Sequence, residues 1–571
     1  MSALDRIRLQ IIWDRLLSVV EEQAQTLVRT AFSTSTREAG DLSAGLFDKS
    51  GRMVAQAVTG TPGHVNAMAA SVGFFLQRYP LHSLAEGDVL ITNDPWMGTG
   101  HLHDFTVVTP VFNAGRAIGL FACTSHVVDV GGLGFSADGK EVYEEGLNIP
   151  IMPLFEGGKA NDILLRIVRA NVREAMQVEG DLYSLAACNE IGARRLLETL
   201  DEFGLPDIDD VSDYIIDTSE RSMLEAIRAL PPGIYHNCMR VDGHEKELDL
   251  VAALTLSASG IDLSFAGTSS LSQLGINVPL TYTQAYASFG VRCVVGSDIP
   301  NNAGSLAPVR VTAPEGSILN APPPAGVCAR HVTGQMLPDV VLGCLHQVEG
   351  IAVPAEGASS LWNPLLMNGP ALQDDNAQNA HAGQFAVNVF HSGGTGARPV
   401  QDGLSATAFP SGVRNTPVEI TETIAPLLIR CKEYRTDSGG AGCYRGGLGQ
   451  SMEIEHAEGA SYVVSAMFDR VLNPPRGRDG GNEGARGVVT LSDGTPLAGK
   501  GRQSIPAGAA LRLEMPGGGG LGRPHERPVQ AVAADVLNGL VSVAAAKEHY
   551  GVVCTSAGDI DIKATNALRQ Q

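Results

Sequence analysis

Residues 91–105, ITNDPWMGTGHLHDF, concentrate side chains that can bind a metal ion. Asp94, His101, His103 and Asp104 lie in this one stretch, beside two glycines and just before an apolar run. A catalytic metal takes a few imidazole nitrogens and carboxylate oxygens and keeps one position open for water. This mixture of ligands suits Zn, Mn or Fe and differs from a structural site made of thiolates. The alternative is a loop whose polar side chains bind only one another.

A predicted β-hairpin brings a further histidine to this stretch. The runs FTVVTPVF (105–112) and AIGLFACTS (117–125) flank the turn NAGR, and the second run ends at His126. If the turn is centred between residues 114 and 115, paired residue numbers sum to 229. His103 then faces His126, and His101 is a diagonal neighbour on the same face of the hairpin. Alternation along a strand places Asp104 on the other face, so it reaches the site only if the strand begins irregularly.

Three other residues are weaker candidates for this site. Asp41, in REAGDLSAGLFD, lies at the mouth of an earlier predicted hairpin, a place where aspartate commonly stabilises a turn. His64 lies in a loop just before a predicted helix, where a histidine satisfied within the loop is an equal alternative. Asp129 follows His126 by three residues and could orient a ligating histidine or accept a proton.

Several common catalytic motifs are absent or incomplete. The segment PGGGGLG (516–522) contains G-x-G-x-x-G, but RPHERP follows it and cannot open the helix that a dinucleotide site requires. It could still bind an anion as a simple glycine-rich loop. The glycine-dense segment 434–449 indicates tight turns in a β-rich region. The chain contains neither G-x-x-x-x-G-K-[ST] nor G-x-S-x-G, so the sequence supports neither an ATP site of the P-loop type nor a serine hydrolase.

Composition restricts the class of protein. The 571 residues carry a formal net charge of −21, which argues against binding nucleic acid or anionic lipid. Charges interrupt the apolar positions at the N-terminus, and no run of about 18 apolar residues occurs, so neither a signal peptide nor a spanning helix is expected. The nine cysteines are scattered without a C-x-x-C pair, which is typical of reduced cysteines in a cytoplasmic protein.

Patterning along the chain predicts a large multidomain α+β protein. Apolar residues at helical spacing predict helices over 4–31, 65–78 and 160–230. Alternating and β-branched runs predict strands over 42–58, 89–130 and 235–268. The chain is therefore divided into a mixed α/β domain bearing the metal site (1–235), a central mixed domain (236–425), and a β-rich, glycine-rich C-terminal domain with terminal helices (426–571).

The sequence resembles the hydantoinase B and oxoprolinase family over its whole length. The resemblance rests on a series of segments in the same order: REAGDLSAGLFD, NDPWMGTGHLHDFTVVTPVF, SHVVDVGG, EEGLNIP, EGDLYSLAA, LSFAGTS, IPNNAGSLAPVRVTAPEGSILNAPPPAGV, NTPVEITETIAPLLI, YRTDSGGAGCYRGGLG, PGGGGLGRP and DVLNGLVSV.

This resemblance implies a metal site and a partner. It implies that His101, Asp104 and His126 are metal ligands, with Asp41 as a fourth acidic position, although HLHD differs from the HLPD-like pattern of the family at His103. That histidine could compete as a ligand or support one. The resemblance also implies a separate ATPase subunit of the hydantoinase A type, which binds ATP and Mg²⁺, in a hetero-oligomer with two copies of each chain.

Three functions remain open at this point. In the first, the partner phosphorylates a lactam, oxoproline or hydantoin, and this chain then opens the ring by attack of metal-activated water. In the second, the chain is a subunit of an ATP-dependent ketone carboxylase of the acetone or acetophenone type. In the third, it is a non-catalytic scaffold that only stabilises the ATPase. The moderate length of the chain favours the first.

Overall fold

The computed structural model describes residues 3–58, 61–368 and 385–570. These residues form helices and several sheets, which confirms the predicted α+β class of a large multidomain chain. They divide into two compact units: unit 1 comprises residues 1–239 and 250–351, and unit 2 comprises residues 240–249 and 352–571. The predicted boundary near 235 lies close to the first of these divisions. The predicted boundary near 425 falls inside unit 2.

Unit 1 contains most of the helices. They are α1 (Ala3–Thr30), α2 (Thr34–Arg37), α3 (Pro62–Arg78), α4 (Val142–Glu145), α5 (Asp162–Asn171), α6 (Ala175–Phe203), α7 (Asp209–Arg228), α8 (Leu280–Arg292), α9 (Ala303–Leu306), α10 (Arg330–Gly334) and α11 (Leu337–Leu345). The strands up to the division at residue 351 are β1 (Leu42–Phe47), β2 (Met53–Gln56), β3 (Val89–Thr92), β4 (Asp104–Asn113), β5 (Arg116–His126), β6 (Met152–Glu156), β7 (Lys159–Ala160), β8 (Gly233–Val241), β9 (Leu248–Ser257), β10 (Gly260–Ser264) and β11 (Val309–Thr312).

A seven-stranded sheet in the order β2-β1-β5-β4-β3-β6-β7 forms the centre of unit 1. Alternate residues of its central strands enter two different apolar clusters. Val107 and Phe121 pack with α1 and α6, whereas Val108 and Leu120 pack with α3. Because both faces are covered, β5 is buried from Ile118 to its end. The central hairpin is therefore held rigidly, and its polar ends lie at the edge of a packed core. A second sheet has the order β11-β10-β9-β8.

Unit 2 is built mainly from two four-stranded sheets, in the orders β13-β12-β16-β18 and β14-β15-β19-β17. The strands are β12 (Leu365–Asn368), β13 (Phe385–Asn388), β14 (Leu427–Tyr434), β15 (Gln450–His456), β16 (Tyr462–Met467), β17 (Val488–Leu491), β18 (Lys500–Ile505) and β19 (Leu511–Glu514). The helices are α12 (Val418–Ile424), α13 (Val529–Leu537), α14 (Val543–Tyr550) and α15 (Ile562–Arg569).

The glycine-rich segment 516–522 is part of the packed interior of unit 2. The N–H groups of Gly517, Gly518, Gly519 and Gly520 all donate to backbone carbonyls of other segments, at 2.8–3.0 Å. Gly518, for example, donates to Gly447 in the other glycine-dense segment. Because these donors are already used, the segment does not offer the row of free N–H groups that an anion-binding loop needs. Its glycines serve close backbone packing.

Two observations bear on the general character of the chain. All nine cysteines are present as thiols, in agreement with the scattered pattern in the sequence. Within the described ranges, the helices are all too short or too polar to cross a membrane.

Candidate metal centre

The ends of the two central strands bring the predicted ligands together. Strand β4 begins at Asp104, β5 ends at His126, and these two residues are direct partners in the antiparallel ladder. The predicted pairing, with residue numbers summing to 229, holds only next to the turn, for Phe112 with Ala117 and Asn113 with Arg116. A bulge between Val111 and Phe112 then shifts the register by one residue. The prediction that His103 faces His126 is therefore wrong, and Asp104 occupies that position.

Three side-chain atoms converge at this end of the hairpin. His101 Nε2 lies 2.7 Å from Asp104 Oδ1. His126 Nδ1 lies 3.3 Å from His101 Nε2 and 3.2 Å from Asp104 Oδ1. All three side chains are buried, and together they form the group that could hold a metal ion in the described part of the chain. Two imidazole nitrogens and one carboxylate oxygen fit a divalent transition ion with positions left for water or substrate.

The tautomer of His101 is fixed by the backbone. His101 Nδ1 lies 2.8 Å from the carbonyl oxygen of Cys328, so Nδ1 carries the proton and donates it there. Nε2 is then left with a lone pair, as a metal ligand requires. Arg330 Nη1 lies 3.1 Å from the same Nδ1 and is a close contact, because a protonated nitrogen cannot accept. Burial, together with the Arg330 charge, lowers the pKa of His101 to about 4, which keeps the ring neutral.

The second oxygen of Asp104 is held by a separate set of donors. Thr99 Oγ1 donates to Oδ2 at 2.7 Å, His64 Nε2 lies 2.9 Å away, and Arg330 Nη2 also donates to it. Although burial raises the pKa of Asp104, the neighbouring His101, His64 and Arg330 outweigh it and hold the pKa well below its usual range. The carboxylate is thus ionised, and Oδ1 is left to face the two histidines.

Besides its contacts with His101 and Asp104, Arg330 is held by a backbone carbonyl and an aromatic ring. Its Nε donates to the carbonyl oxygen of Thr99 at 2.8 Å, and its guanidinium carbon lies 4.1 Å from the centre of the Tyr282 ring. Gly100 lies against this side chain with φ +101°, and an added Cβ would come within 2.7 Å of Arg330. Glycine is therefore required there for both backbone conformation and space.

His64 connects Asp104 to Asp41. His64 lies in the first turn of α3, and its Nδ1 is 3.5 Å from Asp41 Oδ1, which also accepts from Thr61 Oγ1 at 2.6 Å. Burial opposes a charge on His64, but Asp104 and Asp41 together raise its pKa. Asp41 thus lies beside the imidazole that contacts Asp104, and it stands outside the three converging atoms. Its place as a fourth ligand stays a prediction.

His103 and Asp129 have different surroundings. The His103 ring stacks on His126, with centres 5.3 Å apart, and its Nδ1 lies 3.8 Å from Cys328 Sγ. Burial and the neighbouring imidazoles hold the pKa of His103 well below its usual range. Asp129 accepts from the backbone N–H and guanidinium of Arg173 and from the N–H of Gly131. Asp129 therefore binds Arg173 and does not contact a histidine, because the chain turns away after His126.

The model of the family described as Hydantoinase B/oxoprolinase matches residues 5–524. The chain belongs to this family.

Relatives and solved structures agree with this membership. The chain is 28% identical to one subunit of a putative D-/L-hydantoinase of a Pseudomonas species, over 100% of this chain and 99% of the relative. It is similar to the crystal structure of an ATP-dependent caprolactamase from Pseudomonas jessenii, with a TM-score of 0.88, 26% identity and full coverage of both chains. It also shares the fold of an acetone carboxylase chain, with a TM-score of 0.85 and 20% identity, covering 100% of this chain and 84% of the other.

In this member of the hydantoinase B family, several site residues escape prediction from sequence motifs. Arg330 and Cys328 lie more than 220 residues beyond the ligands that they contact. Their signal in the sequence is a single arginine in the run VCARHVTGQML, which has no acidic residue, since a charge must be paired if it is buried. Tyr282 has no such signal, because aromatic residues on a buried helix are ordinary core residues.

The EEGLNIP segment (144–150) binds the backbone that holds His101. Glu145 Oε1 accepts the N–H groups of Val327 and Cys328, at 2.6 and 2.8 Å, next to the carbonyl that binds His101. Burial raises the pKa of this carboxyl group to about 8. Asn93 binds the same segment, since its side chain accepts from Ile149 N and donates to Leu147 O. The residues after strand β3 are thereby joined to this segment.

Proposed function

We propose that this chain is the metal-bearing subunit of a two-component, ATP-dependent hydrolase that opens a cyclic amide such as a lactam, oxoproline or hydantoin. The observation that carries the proposal is the convergence of His101 Nε2, Asp104 Oδ1 and His126 Nδ1 within a buried site. Family membership supports a cyclic amide as the class of substrate. Zinc is the ion that this donor set suits best, with manganese and iron as alternatives.

The surrounding residues prepare the site for one ion. A divalent ion held there would polarise a carbonyl group and lower the pKa of water, so that a nucleophile exists near neutral pH. The Cys328 carbonyl keeps the proton of His101 on Nδ1, and Arg330 keeps Asp104 ionised and oriented. His64 contacts the Asp104 carboxylate through Nε2 at 2.9 Å, and its Nδ1 lies 3.5 Å from Asp41 Oδ1, so Asp41 is near enough to exchange a proton with the site through a small movement of the ring.

ATP is assigned to the partner, a hydantoinase A-like subunit. Opening an unstrained amide ring is slow, and transfer of the γ-phosphoryl group of ATP to the amide oxygen makes the ring carbon more electrophilic. ADP leaves after this transfer. Water then adds to the ring carbon and the carbon–nitrogen bond breaks, which leaves an acyl phosphate, and a second water hydrolyses the acyl phosphate to the carboxylate and free phosphate. This chain contains no P-loop sequence, and a relative that matches its whole length is named as one subunit of an enzyme, which supports an assembly of two kinds of chain.

Variants of the ligands test the proposal in the co-expressed complex. His101→Ala and His126→Ala should each abolish ATP-dependent ring opening of a panel of lactams and hydantoins, and should lower the metal content measured by mass spectrometry. The matched control is His549→Ala, which removes an exposed imidazole of unit 2. Full turnover in both ligand variants would contradict the proposal and would favour the scaffold interpretation.

A ketone carboxylase is the second candidate because the chain shares its fold with acetone carboxylase. Assays with ATP and labelled bicarbonate separate the two activities. Incorporation of label into a ketone product, without opening of any cyclic amide, would replace the first proposal with the second.

A further inference from the structure

A cavity of about 350 Å³ lies in unit 1 beside the first turns of α3 and the end of α8. Its volume is within the range of about 300–1,000 Å³ that small-molecule sites occupy. Pro62, Val65 and Asn66 of α3 line it, whereas His64 of the same helix contacts Asp104. The cavity is therefore separate from the three converging metal ligands, although the same part of α3 borders both sites.

Three carboxamide side chains line this cavity, and their hydrogen bonds fix which atoms they present. Ser288 Oγ donates to the Ala285 carbonyl at 3.0 Å, so it can only accept from Asn66 Nδ2, which lies 3.2 Å away. Asn66 Oδ1 then accepts from Asn301 Nδ2 at 2.8 Å, and Gln56 Oε1 accepts from the same nitrogen at 3.0 Å. Because the oxygen and nitrogen of a carboxamide are assigned from such a network, each bond determines the next.

The network leaves one donor group and one acceptor unused. Both N–H groups of Asn301 are occupied, so its Oδ1 is left to accept, and Gln56 Nε2 is left to donate. Neither atom has a partner among the described residues, and neither is a buried atom, so both stay accessible to a ligand in the cavity. The two side chains are themselves hydrogen-bonded, so this donor and this acceptor belong to adjacent groups. A small cyclic amide carries one N–H group and one carbonyl oxygen on the same side of its ring, which complements such a pair.

The remaining wall of the cavity favours a neutral ligand. Within its described lining, Arg292 is the one charged residue, and its guanidinium donates to three backbone carbonyls of residues 295–299. Burial raises the pKa of the Cys293 thiol to about 12, so this side chain is uncharged near neutral pH. Phe289 and Pro300 supply apolar surface. A ring with a polar amide edge and an apolar opposite edge fits these surroundings.

We propose that this cavity binds a neutral cyclic amide, with Gln56 Nε2 donating to its carbonyl oxygen and Asn301 Oδ1 accepting from its N–H group. The identity of the ring rests on the proposed function, because the donor and acceptor by themselves fit any small cis amide. Phosphorylation of the amide oxygen would remove the N–H proton and add negative charge. The cavity therefore holds the substrate before its activation, away from the metal ligands.

The test measures binding of δ-valerolactam to the full chain, kept free of metal by a chelator, through ligand-detected NMR titration. Gln56→Glu keeps the oxygen that accepts from Asn301 but replaces the unused donor with an acceptor. It should weaken lactam binding about tenfold or more. The same variant should gain affinity for the cyclic amidinium of this ring, in which an NH₂ group replaces the carbonyl oxygen, because two acceptors then face two donors.

The matched control is Gln77→Glu, an exposed change on α3 outside the cavity. It should bind both compounds as the wild type does. In the wild type, N-methyl valerolactam should bind about tenfold more weakly than valerolactam, because it has no N–H group for Asn301 Oδ1.

The outcomes separate this inference from the proposed function. Absence of saturable lactam binding to the wild type, or equal affinity in wild type and Gln56→Glu, overturns the inference and leaves the proposed function standing. An equal gain of the amidinium in Gln77→Glu would reveal attraction by charge alone and would also overturn the assigned pair. Failure of the complex to open any cyclic amide, with lactam binding that depends on Gln56, contradicts the proposed function alone.

Discussion

Asp104 uses its two carboxylate oxygens for different purposes. Oδ1 faces His101 and His126, and Oδ2 accepts from Arg330, Thr99 and His64. Residue types and spacing along the hairpin are sufficient to predict the two histidines, and the family resemblance adds Asp104. They do not predict Arg330, because no local pattern connects it to residues more than 220 positions earlier. The donors that orient a ligand come from the tertiary fold.

Arg330→Lys tests this orientation at the scale of the residue. Lysine keeps a positive charge but cannot bind Asp104 and the Thr99 carbonyl at the same time from a planar group. We expect the affinity for zinc to fall about 10–100-fold, as is typical when a partner of a metal ligand is lost. Competition with a chromophoric chelator measures it.

The control is Arg292→Lys, because the Arg292 guanidinium donates to backbone carbonyls of its own loop. An affinity of Arg330→Lys within threefold of the wild type would show that Arg330 does not orient the ligand.

At the scale of elements, the central hairpin was predicted in the right place but in the wrong register. The strands and the turn follow from apolar runs around NAGR, and these patterns are local. The bulge between Val111 and Phe112 has no signature in the sequence, yet it moves Asp104 from the far face to the position opposite His126. A shift by one residue reverses the face of every side chain beyond it, so the geometry of the site depended on a detail that patterning does not encode.

The contact of α4 with the turn at Val327 and Cys328 predicts a dependence of stability on pH. Glu145 has its pKa raised from 4.5 to about 8, chiefly by burial, so the folded chain binds a proton more readily than the unfolded chain. This contribution to the free energy of unfolding is fully present below pH 4.5, declines as the pH rises, and is lost above about pH 8. Glu145→Gln removes it and should flatten the decline between pH 4.5 and about 8, as measured by urea unfolding.

Glu144→Gln serves as the control, because Glu144 is exposed on the same short helix. The decline should persist in that variant. If Glu145→Gln and the wild type lose stability in parallel over this range, Glu145 is not protonated in the folded chain near neutral pH.

At the scale of the whole molecule, each of the two units has an apolar core of its own. In unit 1, helices cover both faces of the seven-stranded sheet, and apolar periodicity predicts most of these elements. In unit 2, side chains from both four-stranded sheets form an apolar cluster, but a further part of the interior is packed backbone from the glycine-dense segments. Composition shows that glycine is abundant there. It does not show which segments lie against one another, so the sequence suggested turns where the structure has close packing.

Gly518→Ala tests whether this backbone packing stabilises unit 2. A Cβ at this position would lie 1.9 Å from the carbonyl oxygen of Thr395, and backbone atoms cannot move aside as a flexible side chain can. Gly518 also donates to the Gly447 carbonyl, so a shift that relieves the clash would break a buried hydrogen bond. We expect a loss of about 4 kcal/mol or more in the free energy of unfolding. In hydrogen exchange of the full chain, residues 434–449 and 516–522 should exchange faster, whereas β4 and β5 should keep their protection.

Gly508→Asn is the control, because nothing lies within 4 Å of that position and asparagine tolerates its φ of +76°. Faster exchange of β4 and β5 in Gly518→Ala would instead mean that the core of unit 1 depends on the glycine packing of unit 2.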